Sequence, residues 1–235
     1  MLLAIDTSTA QASVALYQDA VLAETTWHAG MDHTRHLLPQ IQALLNVLGR
    51  SIDAVTALGV GLGPGSFNGL RVGIATAKAI AEARGLPIVG VDTLQAMAYQ
   101  FRTIDRPIRP LFDAARGEVA TGLYRAGNEL FATLEAPRIA SLTDALDASP
   151  PGTFFCGELK PAWVAEIIQR HGEGAIRGNL LARPAENARR AGYLAELAWQ
   201  ELQAGLTSDL ATLQPLYLRR PPISGTAHPV GSAAT

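Results

Sequence analysis

The sequence predicts an α/β protein of two lobes in tandem, each with the element order βββαβαβα. Three observations predict this. Three β-prone runs open the chain ahead of a leucine-rich amphipathic segment. A glycine-rich joint, Gly59 to Gly73, links a buried strand to a helix. The same order of elements returns after the punctuation Pro107-Ile-Arg-Pro110.

Leu2 to Thr7, Ala12 to Tyr17 and Val21 to Trp27 read as successive strands of an antiparallel meander. His33 to Leu48 carries Leu37, Leu38, Ile41, Leu44, Leu45 and Leu48 at helical spacing and stops at Gly49, with Pro39 expected in its first turn because an interior proline removes a hydrogen bond. Val55 to Leu62 reads as a buried strand. Ser66 is the expected N-cap of a helix running to Arg84, where Gly85 and Pro87 supply the stop. Gly69, Gly73, Ala77 and Ala81 recur every four residues, a ridge poor in side chains where another helix is expected to approach closely. A strand at Ile88 to Val91 and a helix from Thr93, with Leu94, Met97 and Phe101, complete the first lobe. In the second, Leu111 to Ala114, Glu118 to Tyr124 and Leu130 to Ala136 read as strands and Leu142 to Ala148 as a short helix. Thr153 to Cys156 is then a strand, Ala162 to His171 a helix, Ala175 to Arg177 a brief strand and Ala185 to Gln203 a long helix. The expected division is a lobe at 1–104, a lobe at 105–220, and a small, polar, disordered tail at 221–235.

Apolar residues make up 48% of the 235 and charged residues 17%, the profile of a well-buried globular chain. Net charge is −2, so the broad basic footprint of a nucleic-acid binder is absent, and any RNA contact is expected to come through a partner. A single cysteine, Cys156, excludes an internal disulfide, fits a reducing cytosol and reads as a small buried residue beside Phe154 and Phe155. Asp6 arrives too early for a signal peptide, and no apolar run reaches the roughly 20 residues of a membrane span, so a soluble, cytoplasmic location is expected.

Asp6, Thr7, Ser8 and Thr9 place a carboxylate and three hydroxyls in the turn after the first strand. That turn suits a phosphate or a metal-bound phosphate, and equally suits hydroxyls that cap their own backbone. The glycine joint fails the tests for a phosphate loop, having no lysine before Lys78, and lacks G-x-G-x-x-G spacing. Pro64 also excludes G-x-S-x-G around Ser66. Anion contact through the helix N-terminus and tight packing of strand on helix are its remaining readings, with packing favoured. His28, His33 and His36 suggest a metal, but Asp32 is the one further ligand nearby, and capping or solvent exposure is favoured. Asp113-Ala-Ala-Arg-Gly-Glu118 reads first as a surface ion-pair set.

Taken together, Ile5-Asp-Thr-Ser-Thr9, His33 with Leu37-Leu-Pro39, Gly63-Pro-Gly-Ser-Phe-Asn-Gly-Leu-Arg-Val-Gly73 with Ala77-Lys78-Ala79, and Asp113 with Glu118-Val119 resemble the TsaB (YeaZ-type) family. That family is a subunit of the bacterial system that makes threonylcarbamoyladenosine (t6A) on tRNA. The likeness runs in order through residues 1–120 and returns at Pro215-Leu-Tyr-Leu-Arg219. It implies the duplicated actin/Hsp70/sugar-kinase (ASKHA, RNase H-like) fold. It also implies a non-catalytic subunit that pairs with the paralogous transferase TsaD, which modifies N6 of adenosine 37 in tRNAs reading ANN codons, with the ATPase TsaE joining the pair. The chain lacks the H-x-x-x-H metal motif of the catalytic paralogue, has Asn68 where the family usually has Thr, and has Ala115 ahead of Arg116 where the family has Arg. No catalytic residue, metal or intrinsic cofactor is therefore carried over, ATP being used by the assembled complex.

The expected partner surface comprises the first two helices, with Leu37, Leu38, Ile41, Leu45, Leu70, Gly73 and Ala77 as its residues, and the same surface would form a homodimer when the chain is alone. The alternative is a nucleotide-dependent phosphotransferase or metallohydrolase acting on its own through Asp6 and Asp113. A direct tRNA-binding module is a third reading, which the acidic balance disfavours.

Overall fold

The computed structural model describes residues 1–126, 131–172, 175 and 179–219. Five strands form the first sheet: β1 (Leu2–Asp6), β2 (Gln11–Gln18), β3 (Ala20–His28), β4 (Ala57–Gly63) and β5 (Ile88–Asp92), in the order β3-β2-β1-β4-β5. The meander β1–β3 is antiparallel and β1, β4 and β5 are parallel, because the latter return through helices α1 (His33–Val47) and α2 (Phe67–Arg84). The second sheet repeats the plan with β6 (Ile108–Asp113), β7 (Glu118–Ala126), β8 (Phe131–Ser141) and β9 (Phe154–Gly157), in the order β8-β7-β6-β9. At the fifth strand's position stands Leu181, a single parallel bridge to Phe155. Ala175 of the expected brief strand is helical, and residues 176 and 177 lie outside the described residues, as do Leu130 and the 221–235 tail.

Alternation along β1 divides the core. Leu3 and Ile5 pack with Leu37, Ile41, Leu70 and Ile74 of α1 and α2, while Leu2 and Ala4 pack with α6 (Ala191–Gln203) through Leu194, Ala195 and Ala198. A Cβ at Gly59 of β4 would stand 2.9 Å from that of Ala198, so this glycine sets how closely α6 lies on the sheet. Helix α3 (Thr93–Tyr99) turns Leu94, Met97 and Ala98 toward Ile108, Phe112 and Tyr124 of the second sheet. On that sheet's far side, α4 (Leu142–Asp147) and α5 (Pro161–His171) close a fourth cluster around Leu111, Phe155, Trp163 and Ile167. The layers thus run α1/α2, first sheet, α6 with α3, second sheet, α4/α5. The two sheets lie on either side of the expected 104/105 boundary, but the helices do not follow it: α6, late in the chain, covers the first sheet, and α3, from the first half, reaches the second.

Ser66 caps α2 by accepting from the Gly69 amide, and Gly85 ends it in the left-handed conformation at φ 62°, both as expected. Two expectations fail. Pro39 lies inside α1 rather than in its first turn. Proline leaves the Arg35 carbonyl without its helical donor, but Arg35 and Pro39 are both exposed, so water can replace that bond. The long helix from Ala185 is instead a single 3-10 turn at Pro184–Asn187 followed by α6. Between them Arg189 donates its amide to Gln11 Oε1 and accepts from Thr26 Oγ1, tertiary bonds that hold the chain extended.

Candidate functional site

The Asp6–Thr9 turn and the glycine joint form one structural unit. Asp6 Oδ1 accepts from the Ser8 amide at 2.9 Å, Thr7 Oγ1 donates to the Gly69 carbonyl at 2.7 Å, and the Ser8 carbonyl accepts from the Ser66 amide at 2.6 Å. Thr9 closes its own turn through Gln11. A Cβ at Gly65 would collide with the Ser8 carbonyl, at Gly69 with the Thr7 carbonyl, and at Gly73 with Thr7 Oγ1. The glycines therefore exist to let α2 lie against this turn. The hydroxyls of Thr7 and Thr9 are bound to backbone, while Ser8 Oγ is buried without a partner.

The ridge Gly69, Gly73, Ala77 and Ala81 faces inward against β1. Of the seven residues expected at a partner surface, Leu37, Ile41, Leu45, Leu70, Gly73 and Ala77 are buried inside the lobe, and Leu38 alone, 58% exposed, faces solvent. The residues that face outward on these helices lie at a different helical phase. On α1 the outward face carries Leu38 and Gln42, while exposed Val47 lies on the opposite flank, toward Leu22 and Ala23 of β3; on α2 the outward face carries Arg71, Ala75 and Ala79, again spaced by four. At the head of α2, exposed Phe67 stacks on Tyr217 at 5.5 Å with the Arg71 guanidinium over its ring at 4.1 Å.

His33 opens α1 fully buried beneath Gly69, with Nδ1 unpartnered, so it neither caps nor meets solvent. Burial holds its imidazole below the usual histidine range, against the pull of Asp6. His28 and His36 lie at the end of β3 and in the first turn of α1. Among the described residues no group of three or more His, Cys, Asp or Glu side chains is placed to hold a metal ion. Cys156 is buried as expected, its thiol pushed up by desolvation.

Between the lobes lies a region the sequence did not reveal. Arg189, 4% exposed, brings Nη1 to 3.7 Å from Asp6 Oδ2 and donates to the Thr93 carbonyl at 3.3 Å, while its guanidinium lies 3.8 Å over the ring of Phe112. Nearby, Tyr124 donates to Asp92 Oδ2 at 2.8 Å. Nothing local in the sequence marks Arg189, since its partners come from β1, β6 and the start of α3. Asp113, at the end of β6, pairs with Lys160 at 2.8 Å, and Glu118 pairs with Arg219, both cations coming from outside residues 113–118. Beside them a small cavity of about 160 Å³ is lined by Pro64, Gly65, Phe112, Asp113, Leu216 and Tyr217.

Fold and cleft define a two-lobed protein of the actin/Hsp70/sugar-kinase class in which Asp6 and Asp113 are each paired with a cation of the same chain. Residues 26–161, more than half the chain, match the family described as TsaD, tRNA N6-adenosine threonylcarbamoyltransferase, and the chain belongs to that family. Within it the chain is of the TsaB/YeaZ type. It is 35% identical over 147 residues to the Bacillus subtilis tRNA threonylcarbamoyladenosine biosynthesis protein TsaB, covering 62% of this chain and 64% of that one. It is 39% identical over 126 residues to the TsaB of Escherichia coli, covering 53% and 54%. These matches span about half to two thirds of the curated relatives. The solved structure of YeaZ from Pseudomonas aeruginosa superposes with a TM-score of 0.71 at 25% identity, over 92% of this chain and 99% of that one. No helix among the described residues is long and apolar enough to cross a membrane.

Proposed function

We propose that the chain is a non-catalytic scaffold subunit of the t6A system: it pairs with TsaD, and through it TsaE, for threonylcarbamoyl transfer to N6 of adenosine 37 in tRNAs reading ANN codons. The relatives' names support the pathway. The observation that carries the scaffold reading is the outward face of α1 and α2, where Leu38 stands 58% exposed and Ala75 and Ala79 leave the α2 surface low enough for another helix to approach. Without TsaD the same face pairs two copies about a two-fold axis. In this reading the chain works in the cytoplasm, binds no cofactor of its own, and reaches tRNA only through a complex whose ATP is used elsewhere.

A stand-alone phosphotransferase or metallohydrolase has less support, because Asp6 and Asp113 are each paired with a cation from this chain. Reconstitution decides between them. tRNA is incubated with TsaD, TsaE and the synthase that makes threonylcarbamoyl-adenylate, with and without this chain. Modification lost on omission supports the subunit role; undiminished modification without it overturns that role.

A further inference from the structure

Arg189 is anchored to one lobe and spent on both. Its backbone is tied to β2 and β3 through Gln11 and Thr26, and its side chain runs inward past Thr93 to lie between the Asp6 carboxylate of the first sheet and the Phe112 ring of the second. Both charged groups are almost wholly buried, with side chains 4% and 5% exposed. A buried cation needs its counter-charge and its ring far more than an exposed one, because no water replaces them. Arg189 Nη2 has no hydrogen-bond partner, so the guanidinium is fixed by the carboxylate, one carbonyl and the ring.

We propose that Arg189 is an interlobe latch: it supplies from within the chain the cation that Asp6 requires, and by clamping Asp6 and Phe112 together it keeps the cleft closed. The latch is independent of partner binding and holds whether or not the chain pairs with TsaD. Opening the lobes exposes a carboxylate, a guanidinium and an aromatic ring at one point, so closure at this point is all or none.

Hydrogen exchange on the full-length chain tests it. Arg189→Met is expected to raise exchange about tenfold or more in two segments far apart in sequence, residues 7–11 and 110–114, with α5 unchanged. Phe112→Leu, which keeps the charge pair, is expected to raise exchange in the same two segments to a smaller degree, and it decides the matter should Arg189→Met fail to fold. In D6N/R189M no charge is left unpaired, so thermal stability is expected to recover in part while both segments stay unprotected. Exchange that rises on one side of the cleft alone, or protection fully restored in D6N/R189M, overturns the latch.

Discussion

The hydroxyl of Tyr124, on the second sheet, donates to Asp92 Oδ2, at the end of the first, across 2.8 Å. Burial raises the Asp92 carboxyl above the usual aspartate range, opposed by that bond, and raises the Tyr124 phenol, with Asp92 adding to the shift. Asp92 also caps α3 through the Leu94 amide, so one carboxylate serves a helix and an interlobe contact.

Removing the tyrosine hydroxyl strips a charged acceptor of its donor. Tyr124→Phe is expected to cost about 1.5–3 kcal/mol at pH 7. The sign with pH follows from the raised carboxyl: in the folded state Asp92 holds its proton to higher pH than when unfolded, so its contribution is most favourable at low pH and is lost as pH rises through the folded value. The Tyr124→Phe penalty should therefore shrink toward pH 4, as read from urea midpoints. Asp92→Asn has one amide oxygen where the carboxylate uses Oδ1 for the Leu94 amide and Oδ2 for Tyr124, so it should lose one of the two bonds and, with it, the pH dependence.

His33 gives the opposite slope. Its folded-state imidazole is held below the unfolded value of about 6.5, so on acidification the unfolded chain takes up a proton first and stability falls. His33→Gln should flatten the loss of unfolding free energy between pH 7 and 5. An unchanged profile would mean that other groups produce it.

In the second lobe, Arg109 is wholly buried and paired with Glu135 at 2.8 Å, its Nε and Nη1 unpartnered. Glu135→Ala leaves that cation without its carboxylate and is expected to destabilise by about 3–5 kcal/mol. Thermal unfolding checks this, and Glu135→Gln should fall between.

Gly73→Val should damage the lobe itself, since any side chain there strikes Thr7 Oγ1; a loss of about 1–3 kcal/mol or failure to fold is expected. Ala75→Val, two residues on and exposed, should cost about 0.5 kcal/mol from helix propensity alone. Comparing their melting temperatures separates the inward ridge from the outward one.

That pair also shows how far the sequence could be read. Strand alternation, the Ser66 cap and the Gly85 stop are local signals, and their elements formed where those signals lie. The ridge on α2 was legible as a close approach, but four-residue spacing does not say what approaches; Gly73 and Ala75 belong to similar small-residue stripes, and only the position of Thr7 distinguishes them. Pro39 obeyed exposure rather than propensity. Arg189 was not legible, because its carboxylate lies 183 positions earlier and its ring 77. The crossing of α3 and α6 was hidden for the same reason: an apolar helix face names no sheet.

The central claim is that this chain pairs with TsaD through the outward faces of α1 and α2. Sedimentation velocity on the chain mixed with TsaD from the same organism measures it directly. The account predicts a one-to-one complex for wild type that is lost in a folded Leu38→Glu, Ala75→Arg double variant. No complex with wild type, or an unweakened one with the variant, would contradict it.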